Sequence, residues 1–238
     1  MFKIDDLARL GESRHEDYVA AQPFPHVVID DFLPIKCANR LLKSFPGKDS
    51  TVWLDWKQRD TVHQPKKQGI GHARKLDNAA PLLQQMLFAF NSFPFLNFLE
   101  QLTGITKLLP DPYLFGGGVH QILSGGELAI HADFNHLTEL DLFRRINVLL
   151  YLNKSWKSAY GGNLELWSAD MNECVQSIPP AFNRLVVFNT NKTSFHGHPQ
   201  PLNTPPGVTR KSLALYYYTA KPSLDELYDG NTDWQDTQ

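Results

Sequence analysis

The sequence predicts an α+β fold that is mainly β, a sandwich or jelly roll flanked by helices in its N-terminal part. Three observations carry the prediction. Apolar runs in the second half are short, β-branched and separated by turn residues, as in residues 146–152, 185–188 and 213–219, which is the pattern of strands. Helical spacing of apolar residues is concentrated in the first 112 residues. The chain has 238 residues, 42% hydrophobic and 20% charged, which suits a single globular domain able to bury a core.

Taken in order, residues 5–10 allow a short helix, and residues 25–30 (PHVVID) are β-branched and proline-bounded, as in a buried strand. Residues 34–45 place Ile35, Ala38, Leu41, Leu42 and Phe45 at helical spacing and stop at Pro46-Gly47. Residues 50–76 combine Trp53 and Trp56 with Lys57, Arg59, Lys66, Lys67, Arg74 and Lys75, and few aliphatics. By composition this is a solvated loop, and by length a lid-like loop able to close over a substrate. Residues 81–92 and 95–102 give two helices around Phe93-Pro94, with their phenylalanines packed as core.

The second half opens at Gly116-Gly117-Gly118. Residues 119–123 and 127–131 then read as strands around Ser124-Gly125-Gly126, a turn or bulge signal. No helix pattern with Lys and Ser or Thr follows these glycines, so they do not match a phosphate-cradling loop. After a loop or short turn at 134–143, strands are expected at 146–152, 164–167, 175–178, 185–188 and 213–219, leaving a polar tail from 221 to 238.

His131 and Asp133 stand two residues apart in an extended stretch, so both project to one side while the small Ala132 faces away. Neutral imidazole and carboxylate suit Fe(II), and three protein ligands leave positions open on the ion. A His-x-Asp pair also occurs in solvated loops, so its weight rests on its surroundings. Two later histidines, His196 and His198, share one face of any extended segment and compete for the third position.

The surroundings carry five ordered motifs: residues 144–156 (RRINVLLYLNKSW), 160–164 (YGGNL), 184–189 (RLVVFN), 194–199 (SFHGHP) and 210–212 (RKS). Together they resemble the Fe(II)- and 2-oxoglutarate-dependent dioxygenases, and among these the prolyl-4-hydroxylase-like branch, over residues 114–220. The resemblance implies a double-stranded β-helix (jelly roll, cupin-like) as the catalytic part, residues 113–220, supported by residues 1–112. It implies His131, Asp133 and His196 as catalytic iron ligands, with His198 beside the metal or an ordinary polar residue. For the co-substrate it implies Arg210 and Ser212 on the far carboxylate, with Lys211 as the fallback cation. Tyr151 would donate to the same group, with Gln121, Leu149, Leu164 and Tyr216 lining the pocket. Toward substrate it implies Arg144 at the opening, with Asn135 and His136 near the bound substrate or an iron-bound water.

The implied cofactors are Fe(II), 2-oxoglutarate and O2, with ascorbate as a reductant. The implied reaction hydroxylates an unactivated C–H bond, of a prolyl or other amino-acid side chain in a protein or small molecule, and releases succinate and CO2. Two other readings are open: a metal- and 2-oxoglutarate-binding sensor without turnover, and a zinc hydrolase. Retention of the whole ligand set with Arg210 and Ser212 speaks against the first, and the lack of a His-Glu-x-x-His helix against the second. A formal charge of −2 disfavours nucleic acid or an anionic membrane as partner. No apolar run approaches the ~20 residues of a spanning helix. Two distant cysteines, Cys37 and Cys174, and a start without an apolar h-region lead us to expect a reduced, cytoplasmic setting.

Overall fold

Strands that bury both faces need two different partners, and here one face meets helices and the other a second sheet. The computed structural model describes residues 2–55, 62–71, 73–223 and 228–235. Its helices are α1 (Ile4–Ala20), α2 (Ile35–Lys43), α3 (Ala73–Ala79), α4 (Pro81–Phe90) and α5 (Phe93–Thr103). The N-terminal half also contributes strands β1 (His26–Ile29), β2 (Leu54–Asp55) and β3 (Lys67–Ile70). Then come β4 (Leu109–Pro110), β5 (Gly118–Ile122), β6 (Leu128–Ala132), β7 (His136–Leu137), β8 (Leu142–Tyr151) and β9 (Leu164–Trp167). The series ends with β10 (Cys174–Ile178), β11 (Arg184–Asn189), β12 (His196–His198), β13 (Arg210–Thr219) and β14 (Asp233–Trp234).

The larger sheet runs β1-β11-β8-β13-β5-β3-β2, with β4 on β13 and β7 on β8, and the smaller runs β10-β9-β12-β6-β14. All pairings are antiparallel. The two sheets face each other as the halves of a double-stranded β-helix. Period-two alternation sorts the side chains of the larger sheet. Val119, Ile146, Val148, Leu150, Leu213, Leu215 and Tyr217 turn outward and form one core with Leu83, Phe90, Phe95, Phe98 and Leu102 of the helices. On the inner face, Tyr151, Val186 and Phe188 meet Leu164, Leu166 and Ile178 of the smaller sheet. Each such aliphatic or aromatic contributes about 1.5 to 3 kcal/mol by leaving water, so the apolar part of the sandwich holds the remaining inner surface open as a cavity.

Three elements depart from the expectation. The first helix is seventeen residues long rather than a short helix over residues 5–10. Its buried positions are Leu7, Gly11 and Tyr18, and a Cβ at Gly11 would stand 2.7 Å from the Phe98 carbonyl oxygen. The helix thus packs on α5 through a glycine, which leaves a gap in its apolar stripe. The lid-like loop of residues 50–76 is partly regular, because β2 pairs with β3 and β3 continues the larger sheet beside β5. Trp56, Lys57 and Arg59 lie outside the described residues. The polar tail supplies β14, which pairs with β6.

Asn183 ties the N-terminal part to this framework. At φ 62° it holds a backbone conformation that asparagine tolerates better than most residues. Its side chain accepts from Leu33 N–H at 3.0 Å and donates to the Leu33 carbonyl at 2.7 Å. Both residues are buried, so Asn183→Ala leaves two backbone groups unpaired. We expect it to lower stability by about 2 to 4 kcal/mol, seen as a lower urea midpoint with an unchanged slope.

Candidate metal centre

Register in the smaller sheet brings the two imidazoles together. His196 of β12 lies directly opposite His131 of β6, Trp234 of β14 opposite His131 on its other side, and Leu166 of β9 opposite His196. Neighbouring strands are about 4.8 Å apart, and the two histidine rings stand 4.5 Å apart. Asp133 follows at the end of β6. Gly197 permits the approach of β12, since a Cβ there would stand 2.7 Å from both the Leu128 and Ala129 carbonyl oxygens.

The hydrogen bonds set the tautomers. His131 Nδ1 lies 2.8 Å from the Ala129 carbonyl and His196 Nδ1 2.9 Å from the Ser194 carbonyl. A carbonyl only accepts, so each Nδ1 carries the proton and each Nε2 presents a lone pair. Those lone pairs face Asp133 at 3.5 Å (Oδ1) and 3.3 Å (Oδ2), and a ligand atom from each residue can be chosen so that all three lie within 4.8 Å of one another. Three acceptors converging without a donor between them require a cation. Two imidazoles and one carboxylate on one side of the ion are the donor set of non-haem Fe(II).

The carboxylate is held from the larger sheet. Asp133 Oδ2 accepts from Arg144 Nη2 at 2.8 Å and from Asn147 Nδ2 at 2.7 Å. Asn147 Oδ1 in turn accepts from Arg144 Nε at 2.9 Å and Nη2 at 2.7 Å, and from the Thr190 hydroxyl at 3.1 Å. Burial by itself raises the carboxyl's pKa, but the Arg144 guanidinium beside it outweighs that and holds Asp133 well below the ordinary carboxylate range. Burial, and then His196, pushes the His131 imidazole down, keeping it in the form that binds metal.

The centre opens into a cavity of about 230 Å³ whose opposite part is cationic. Alternation along β13 turns Arg210, Ser212, Ala214 and Tyr216 into it, and β8 adds Asn147, Leu149 and Tyr151. Leu164 and Lys67 also line it. Arg210, 5% exposed, donates from Nε to the Gly162 carbonyl at 2.7 Å and from Nη2 to the Tyr151 hydroxyl at 3.0 Å. Among the described residues Arg210 has no carboxylate partner. A buried guanidinium in that condition calls for an anion. The Tyr151 hydroxyl, accepting from Arg210, has its own proton to give the same anion.

Four expected positions differ. Gln121 shares the Val119 side of β5 and points out of the cavity, where it donates to Gln68 and accepts from the Thr209 hydroxyl at 2.9 Å. Its neighbours His120 and Ile122 line the wall instead. Asn135 does not face the cavity either: its side chain accepts from Asp229 N–H at 2.8 Å, clamping the C-terminal segment. His136 stacks on Phe143 with centroids 4.8 Å apart and meets Asp141 at 3.0 Å. Lys211 faces away from the cavity, its Nζ donating to the Thr209 hydroxyl at 2.6 Å.

Arg144 is at the site but is 1% exposed, its guanidinium 3.4 Å from the Tyr216 ring centre, with Nη1 unpaired. Two groups were missed from sequence. Thr232 and Trp234 line the cavity, and the indole stands 4.7 Å from the His131 ring on one side and 4.5 Å from His63 on the other. No periodicity marks a two-residue strand, but an aromatic within a polar tail was a usable signal.

A family model described as the 2OG-Fe(II) oxygenase superfamily matches residues 117–218. A mouse (Mus musculus) protein, prolyl 3-hydroxylase OGFOD1, is 35% identical over 85 residues, which is 34% of this chain and 15% of that relative. Among solved structures, a prolyl hydroxylase from Trichoplax adhaerens, in complex with a hypoxia inducible factor oxygen degradation domain peptide fragment, shares the fold with a TM-score of 0.60 and 21% identity, covering 90% of this chain and 91% of that one. HygX from Streptomyces hygroscopicus, with nickel and 2-oxoglutarate bound, shares it with a TM-score of 0.54 and 12% identity, covering 89% and 93%.

Two substitutions test the geometry of the centre. Asn147→Ala removes one bond to Asp133 and loosens Arg144, and we expect nickel affinity to fall about 10- to 100-fold, read by calorimetry. Gly197→Ala forces β12 from β6, and we expect a loss of about 1 to 3 kcal/mol in stability together with weaker nickel retention.

Proposed function

From the match of residues 117–218 to the 2OG-Fe(II) oxygenase superfamily model, we propose that this protein is an Fe(II)- and 2-oxoglutarate-dependent hydroxylase of the prolyl-hydroxylase type, acting on an amino-acid side chain within a protein or peptide. The observation that carries the reading is the pairing of two opposite demands in one cavity: three converging acceptors that need a cation, and a buried Arg210 that needs an anion. A 2-oxo dicarboxylate would answer both: its 2-oxo acid end would suit the metal that His131, Asp133 and His196 would hold, and Arg210 with Tyr151 would hold its far carboxylate.

When bound, Fe(II) with 2-oxoglutarate and O2 supplies the oxidation, in which the 2-oxo acid becomes succinate and CO2 while one oxygen atom enters a C–H bond of the substrate. The protein's part is placement. His131, Asp133 and His196 hold one side of the ion. Arg144 and Asn147 fix the carboxylate so that it does not swing with each ligand exchange. Leu149, Leu164, Tyr151 and Tyr216 wall the co-substrate off from water. The unpaired Nη1 of Arg144 leaves one donor that a backbone carbonyl of a peptide would satisfy, and a solved structure of similar fold is a prolyl hydroxylase in complex with a peptide. A second carboxylate placed as general base would favour a zinc hydrolase, and among the described residues lining the cavity Asp133 is the only carboxylate.

The test begins without oxygen. Fe(II) followed by 2-oxoglutarate is expected to give a weak visible charge-transfer band in the native protein and none in Asp133→Ala. Arg210→Ala is expected to keep iron and weaken 2-oxoglutarate by about 2 to 5 kcal/mol, the cost of losing a buried charged partner. With O2, prolyl peptides are expected to raise succinate release above the uncoupled rate. Iron binding without the band would overturn the co-substrate, and a band without peptide-stimulated succinate would favour a sensor.

A further inference from the structure

His196 and His198 lie on the same face of β12, and both line the cavity. Their surroundings differ. The pairing of β12 with β6 shifts after His196, so that His198 lies opposite Leu128 and is carried away from the metal ligands. His131 and His196 each anchor Nδ1 on a carbonyl, whereas neither ring nitrogen of His198 has a partner. The residue is 2% exposed. Buried polar groups in folded proteins are nearly always paired, so one that lines a cavity without a protein partner takes its bond from what enters the cavity, water or a bound molecule.

The chemistry of that molecule follows from the neighbours. Arg210 and Lys67 are the charges that act most strongly on His198, and both line the same cavity. A ring N–H beside two cations favours an acceptor that is itself anionic. Resting on the function proposed above, we propose that His198 is a specificity residue for the co-substrate: its imidazole donates to the far carboxylate that Arg210 binds, so that the subsite selects 2-oxo dicarboxylates over 2-oxo monocarboxylates. Position 198 would then bind co-substrate while position 196 binds metal, two roles for two histidines separated by a single glycine.

The test compares 2-oxoglutarate with 2-oxopentanoate, which keeps the chelating end and the chain but lacks the far carboxylate. Binding of each to the nickel-loaded full chain is measured by calorimetry, for the native protein, His198→Leu and His198→Gln. We expect His198→Leu to raise the Kd for 2-oxoglutarate about 10- to 100-fold, the range of one hydrogen bond to a charged group, with little change for 2-oxopentanoate. His198→Gln, which keeps an N–H donor, is expected to recover part of the loss and gives a folded variant should leucine disturb packing. The apo form of His198→Leu is expected to melt no lower than the native protein, since it removes an unpaired buried group.

An unchanged 2-oxoglutarate Kd in both variants, or equal weakening of both acids, overturns the assignment. A fall in nickel affinity assigns His198 to the metal and overturns it as well. Native protein that binds nickel but not 2-oxoglutarate overturns the proposed function, and this inference with it.

Discussion

The Asp133 carboxylate leaves the end of β6 in the smaller sheet, while the groups that grip it, Arg144 and Asn147, project from β8 in the larger. Two sheets joined largely by apolar packing are therefore also tied by a charged junction beside the cavity. The junction is nearly dry, so its geometry must be complete: a buried carboxylate with only part of its bonds is far more costly than one fully paired. Asn147 meets this requirement by accepting from Arg144 and Thr190 through one atom and donating to Asp133 through the other. The carboxylate of Asp133 also faces the Nε2 atoms of His131 and His196, where a cation would complete the set.

The cavity behind this junction keeps opposite electrical demands apart. Lone pairs gather at the histidines, and Arg210 and Lys67 gather on the co-substrate side. Each group is desolvated in advance, which destabilises the empty protein and favours a ligand that carries a chelating end and an anionic end. Folding supplies the order that the ligand would otherwise have to impose. Gly197 and the β12–β6 register are the local conditions for this, because they set the spacing of the imidazoles to one interstrand distance.

The rim comes from chain segments remote in sequence from the strands that carry His131, Asp133 and His196. The stretch before β3 brings His63 and the C-terminal segment brings Trp234, stacked on each other beside His131. That segment is tied down by Asn135 at Asp229 and by a 2.8 Å pair between Lys192 and Asp229. The polar tail is thus part of the site's wall, and its Trp234 backs a metal ligand.

The three residues that converge as the candidate metal centre, and most of those expected around a far carboxylate and found lining the cavity, were legible in the sequence because their chemistry is tied to spacing: His131 and Asp133 two apart, Arg210 and Ser212 two apart, each pair on one face of a strand. The same period located the β-rich half and its outward core. What tertiary structure alone decided were questions of face and partner. Gln121 and His120 are adjacent, and nothing local says which points inward until β5 is seated between β13 and β3. Asn135 and His136 follow a metal ligand in sequence but turn toward the C-terminal segment and a neighbouring ring. Arg144, expected at the substrate opening, proves to be buried on Asp133. The choice between His196 and His198, identical in type and facing one way, comes from a shift in strand register. A sequence determines which chemistry a segment carries and its repeat, whereas the partner across a sheet is a contact over many residues that only the folded chain supplies.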